Sequence, residues 1–107
     1  MPPRTRNAHG RFAPAKPLDV TSESQIPALE SMLRTGPITF VLVYADWCGH
    51  CQRYKPMWKE LTQTPGRIAN MAAVRDDMFK QVPAIKDAKI QGYPSVIKVS
   101  QIGRAHV

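Results

Sequence analysis

Ile38-Thr39-Phe40-Val41-Leu42-Val43-Tyr44-Ala45 runs through Asp46 into Trp47-Cys48-Gly49-His50-Cys51, and the architecture of the chain follows from this stretch. Residues 38–45 are apolar or β-branched throughout, as a central strand covered on both faces requires. Cys48 and Cys51 are the only cysteines of the chain, and a helix-periodic segment follows them directly. A dithiol at the junction of a buried strand and a helix N-terminus is placed for thiol chemistry. The unpaired N–H groups and partial positive charge of the helix start favour a thiolate there, and only the thiolate attacks a disulfide. Two intervening residues let the second sulfur reach the first and close an intramolecular disulfide.

Toward the N-terminus, Leu18-Asp19-Val20 reads as a short strand. Ser24 is placed to cap a helix reaching about Thr35, with Ile26, Leu29 and Leu33 on one face. Pro27 falls in its first turn, where no intrahelical donor is lost, and Gly36-Pro37 stops it. Beyond the dithiol a helix runs from about Gly49 to Thr62. Cys51, Tyr54, Met57, Trp58 and Leu61 form its apolar stripe, of which Tyr54, Met57 and Trp58 are read as core rather than as a cofactor box, and Pro56 is placed to kink it. Pro65-Gly66 ends it. Ile68–Arg75 is a weaker strand, Asp76-Asp77 a solvated turn and Pro83–Ala88 a short helix. Tyr93-Pro94 opens a last strand, Ser95–Val99. The order β-α-β-α-β-α-β makes an α/β domain.

A length of 107 residues accommodates one domain. The net charge of +7 says less about the body of the protein than it suggests. Residues 1–17 carry Arg4, Arg6, Arg11 and Lys16 without an acid, while residues 18–101 hold ten Lys and Arg against eight Asp and Glu. The Pro-containing segment 1–17 cannot bury apolar area and reads as a disordered, solvated basic tail. Four charges supply little site-specific affinity, so no nucleic-acid partner is expected. No apolar run is long enough to span a membrane, and no secretory leader is visible. With both cysteines in one motif, no structural disulfide framework remains. The compartment stays open, with the cytoplasm favoured. Ile102-Gly103-Arg104-Ala105-His106-Val107 back-translates as ATC GGA AGA GCA CAC GTC, which resembles the start of a widely used sequencing-library adapter. Residues 102–107 are therefore read as a non-native sequencing scar and set aside. A zinc ion needs about two ligands beyond the cysteine pair, and only His9 and His50 are then available. Neither a metal nor a cofactor is expected.

Across residues 18–101 the chain resembles the thioredoxin superfamily. The apolar strand entering Trp47-Cys48-Gly49-His50-Cys51, Pro56 eight residues after the first cysteine, and Gly92-Tyr93-Pro94-Ser95 as a loop with a cis proline facing the dithiol carry the resemblance. The Cys-Gly-His-Cys form is similar to protein disulfide isomerase. The resemblance implies a thioredoxin-like fold, a central mixed sheet flanked by helices. It also implies that 18–101 is incomplete, with the last strand and helix missing and Ser95–Val99 left as an open edge.

The implied activity is thiol–disulfide exchange with protein or peptide thiols and disulfides, isomerase-like. The electron donor or acceptor is not encoded in these residues. Cys48 would be the nucleophile that forms the mixed disulfide and Cys51 the resolving thiol. His50 would supply a hydrogen-bond donor or positive charge to the thiolate. Trp47 and Gly49 would border the substrate, and Tyr93 and Pro94 would pair with an extended substrate segment by strand addition. Potentials of ~−270 mV for thioredoxin and ~−180 mV for the isomerase mark the range such a site spans. One position departs from the family: the buried acid common six residues before the nucleophile is Leu42 here. Asp46 is nearer in sequence but is expected at the surface. Leu42 sustains the alternative reading, a slow or redox-incompetent module that binds polypeptides in the Trp47/Pro94 groove.

Overall fold

The computed structural model describes residues 16–35, 38–100 and 105–106, the last two through their backbone. The tail up to residue 15, the Gly36-Pro37 stop, 101–104 and 107 lie outside the described residues. Strands β1 (Leu18–Val20), β2 (Ile38–Tyr44), β3 (Asn70–Arg75), β4 (Ser95–Ser100) and β5 (Ala105–His106) alternate with helices α1 (Ile26–Thr35), α2 (Gly49–Thr62) and α3 (Asp76–Phe79) up to β4. One mixed sheet has the order β1-β3-β2-β4-β5. β3 is parallel to β1 and β2, whereas β4 is antiparallel to β2. The fold is thioredoxin-like, and among the described residues no helix follows β4.

β2 is central because its side chains are apolar on both faces. Val41 and Val43 join Val20, Ala72, Val74, Ile97 and Val99, and α1 closes that face with Leu29, Met32 and Leu33. Leu42 and Tyr44 point the other way, onto Met71, Ala73 and the α2 residues Cys51 and Trp58. Direct cross-strand partners such as Val41↔Ala72 and Val41↔Ile97 lie on one face and are the unit of this packing. Double coverage holds for residues 41–44 but not for Ile38 and Phe40, which are half-buried.

Several local expectations are corrected. The first helix starts earlier, with a 3-10 turn at Glu23–Gln25 and Ser22 rather than Ser24 at the cap. Gln25 is the cause: its Oε1 accepts the backbone N–H groups of Thr21 and Ser22 at 2.8 and 3.1 Å. That is the reach-back half of a capping box. α2 has the expected bounds, but Met57 and Leu61 are 58% and 48% exposed. The buried face runs instead through Cys51 and Trp58, with Tyr54 partly buried, and the two exposed residues flank it on the solvent side.

Asp76 and Asp77 are not a turn but the first residues of α3, where acidic side chains suit the helix dipole. Arg75 holds Asp77 by two hydrogen bonds, of 2.7 and 2.9 Å, while Met78 and Phe79 are buried. Pro83–Ala88 forms successive turns rather than a helix, closed by Lys86 N–H to Val82 O and Ala88 N–H to Ile85 O, both 2.9 Å. Val82 and Ile85 are anchored in the core, so tertiary contact sets this path. Ala105 and His106, inside the segment set aside as a scar, lie antiparallel to Val99 and Lys98. The β4 edge expected to be open is paired over those two residues.

Candidate functional site

The thiol pair sits where β2 hands the chain to α2. Ala45 ends the buried run, and the Cys48 N–H donates back to Ala45 O at 3.1 Å. Gln52 ties the turn from the helix side, its Nε2 donating to Asp46 O at 3.1 Å. Cys48 itself occupies the N-cap of α2 in extended backbone. Its sulfur accepts the Cys51 N–H at 3.2 Å, the place a serine or aspartate oxygen takes in an ordinary cap. Both cysteines are free. Cys48 is 8% exposed and Cys51 fully buried, so the outer sulfur is the accessible one.

Their surroundings separate the two sulfurs chemically. Donation from the Cys51 thiol, then from the backbone N–H groups of Cys51 and His50, holds Cys48 below the ordinary thiol range. The nearby Arg53 charge works in the same direction, and desolvation opposes them. Burial pushes the Cys51 thiol up, and its hydrogen bond to Cys48 adds to the shift; the Lys55 charge pulls the other way. One thiol is thus placed to ionise and the other to hold a proton, the division that lets paired groups take different parts in a reaction.

The β4-side loop faces this pair. The Cys48 thiol donates to Tyr93 O at 3.5 Å, and the Tyr93–Pro94 peptide is cis. Trp47 is 74% exposed, with its ring edge-on to Tyr93 at 5.6 Å. Around Gly49 the space is open, Arg53 Nη1 being the nearest neighbour at 4.0 Å from where a Cβ would sit. Cys48, Cys51, Trp47, Gly49, Tyr93 and Pro94 therefore gather at one place.

His50 is arranged differently from the sequence expectation. Its Nδ1 lies 2.8 Å from Arg53 Nη2. A guanidinium only donates, so Nδ1 is the accepting partner in this contact. Toward Cys48, His50 presents its backbone N–H, and the side-chain charge comes from Arg53. Arg53 and Lys55 escaped the sequence reading, although their spacing to His50 (three residues) and Cys51 (four) on a helix was the available signal. Leu42 is fully buried. Asp46 is exposed, as expected, with Arg75 Nη1 3.8 Å from its Oδ2. Among the described residues no three His, Cys, Asp or Glu side chains converge as metal ligands would, and no helix is long and apolar enough to cross a membrane.

The chain belongs to the thioredoxin family: the family model described as Thioredoxin matches residues 21–106. It is similar to protein disulfide-isomerase like 2-2 of Arabidopsis thaliana, 34% identical over 65 residues that cover 61% of this chain and 14% of that protein. It is also similar to a thiol:disulfide interchange protein TxlA homolog of Synechocystis sp., 32% identical over 88 residues, 82% of this chain and 48% of the relative. The chain spans less than half the length of these curated relatives. Among solved structures, a mutant thioredoxin from Halobacterium salinarum NRC-1 superposes with a TM-score of 0.65 at 22% identity, over 92% of this chain and 80% of that one. That likeness concerns the fold.

Proposed function

We propose that this chain is a thiol–disulfide oxidoreductase that exchanges disulfides with protein or peptide substrates through Cys48 and Cys51, in the manner of an isomerase. The observation that carries the reading is the Cys48 sulfur at the cap of α2, accepting the Cys51 N–H at 3.2 Å while facing the Tyr93 carbonyl at 3.5 Å. In the forward step the Cys48 thiolate attacks one sulfur of a substrate disulfide. A Cys48–substrate disulfide forms, and the other substrate sulfur leaves as a thiolate. Cys51, once deprotonated, attacks Cys48, closing the Cys48–Cys51 disulfide and releasing the second substrate thiol. The reverse sequence oxidises a dithiol. Release after rearrangement, without closure of the internal disulfide, isomerises. Trp47, Tyr93 and Pro94 border the position a substrate segment takes. The names of the relatives, an isomerase-like protein and a thiol:disulfide interchange protein, agree with this class.

Trapping tests it. With a model disulfide-bonded protein, Cys51→Ser accumulates a covalent complex that a reductant dissolves, and Cys48→Ser accumulates none. Complexes formed equally by both variants contradict the assignment of roles. The exposed Trp47 favours a second reading, a polypeptide-binding module. It predicts that the doubly substituted Cys48→Ser, Cys51→Ser chain keeps its affinity for unfolded protein and that the parent shows no turnover.

A further inference from the structure

Cys51 must lose a proton among apolar neighbours. It is fully buried with Leu42, Tyr44, Ala45, Trp58, Met71 and Ala73, and burial disfavours a thiolate. One charge reaches this shell from α2. Lys55 stands four residues after Cys51, on the same side of the helix, and its Nζ lies 4.3 Å from the centroid of the Tyr44 ring. The Tyr44 hydroxyl donates to Asp19 Oδ1 at 2.9 Å, so the ring that carries the ammonium is anchored across the sheet. Asp19 and Leu42 both pair with Ala73. The small Ala73 side chain leaves a cleft of about 580 Å³, which Lys55 and Leu42 line together.

We propose that Lys55, seated on the Tyr44 ring, supplies the charge that stabilises the Cys51 thiolate during release of substrate. This rests on the exchange reading of Cys48 and Cys51. In the mixed disulfide Cys48 carries no charge, so its opposition to ionisation of Cys51 is gone and desolvation remains. The Lys55 charge acts against that desolvation. The Cys51 proton passes to water. The thiolate attacks Cys48, the substrate sulfur leaves with the bond's electron pair, and it takes a proton from solvent. Lys55 takes no part in the proton transfer. The titratable groups around it are Cys51 and Lys59 on α2, Tyr44 on β2 and Asp19 on β1. Asp46 and Arg75 act on Tyr44 from farther out.

The test measures breakdown of a preformed Cys48 mixed disulfide with a small aromatic thiol, followed by release of that thiol across pH. Lys55→Met is expected to slow release several-fold near neutral pH and to move the pH–rate midpoint upward, with the two proteins converging at high pH. Lys55→Arg, which keeps the charge, is expected to restore both rate and midpoint. Lys59→Met, which removes a charge from the same cleft away from the ring, is expected to change neither. A Lys55→Met chain that releases thiol with the parent's rate and midpoint overturns the proposal while leaving the exchange reading intact. So does an equal loss in Lys55→Arg, or one in Lys59→Met. A parent that never forms or resolves the mixed disulfide overturns both.

Discussion

Cys48 receives hydrogen bonds and Cys51 is desolvated, and that asymmetry governs which sulfur reacts first. Alkylation of Cys48 should therefore rise with pH through a midpoint below the ~8.5 of an unperturbed thiol, because lowering the midpoint raises the thiolate fraction at every pH beneath it. Cys51→Ser exchanges the donor of the largest stabilising contact, a thiol, for a hydroxyl, so the parent is the chain to titrate. His50 yields a sharper expectation. Its backbone N–H acts on Cys48, and proline has no N–H. His50→Pro should make the protein more reducing by tens of millivolts, with ~30 mV corresponding to 1.4 kcal/mol. His50→Ala keeps the donor and should shift the potential less. Equilibration with glutathione buffers compares the two, and equal shifts would assign the effect to the imidazole instead. Arg53→Met should raise the Cys48 midpoint, since it removes a charge that favours the thiolate.

Among the elements, α2 separates what periodicity reveals from what it misses. Its bounds were legible because an apolar strand enters it, a cysteine caps it, and Pro65-Gly66 follows, with Gly66 at φ 76°. Its stripe was only partly legible: apolar side chains at 57 and 61 mark a helix, but the sheet covers only one arc. Leu61→Ala should accordingly cost little in urea unfolding, whereas Leu29→Ala, fully buried on α1, should cost ~2–5 kcal/mol. Similar losses would restore Leu61 to the core. Leu42→Glu would place a carboxyl in the apolar shell and should destabilise by ~1–3 kcal/mol or more. If a carboxylate can also accept the Cys51 proton there, resolution accelerates despite that cost. The turns of 83–88 were not legible, because Val82 and Ile85 are held by partners distant in sequence. Arg53 and Lys55 were overlooked for another reason. A charged residue on a helix reads as a solvated face until the position of the sulfur beside it is known.

Across the whole molecule, the sheet joins two unequal cores, a larger one under α1 and α3 and a smaller one that holds the thiols beneath α2. Tyr44 belongs to the second and ties β2 to β1 through Asp19. Burial first, then the hydrogen bond to Asp19, raises its ionisation well above the usual phenol range. The folded state thus keeps the proton that the unfolded chain gives up near pH ~10. Stability from this group is fully present below that pH and falls as pH rises above it. Tyr44→Phe should flatten the alkaline limb of the stability curve, and an unchanged slope would show that Tyr44 titrates alike in both states. The chemistry of the site depends on Cys48 and Cys51 forming one redox pair, which is read out in glutathione buffers of stepped composition, with intact mass recorded after acid quenching. Expected is a single transition in which both thiols disappear together and the chain becomes lighter by two hydrogen atoms. Stepwise attachment of glutathione to each cysteine, with no internal disulfide at any composition, would contradict it.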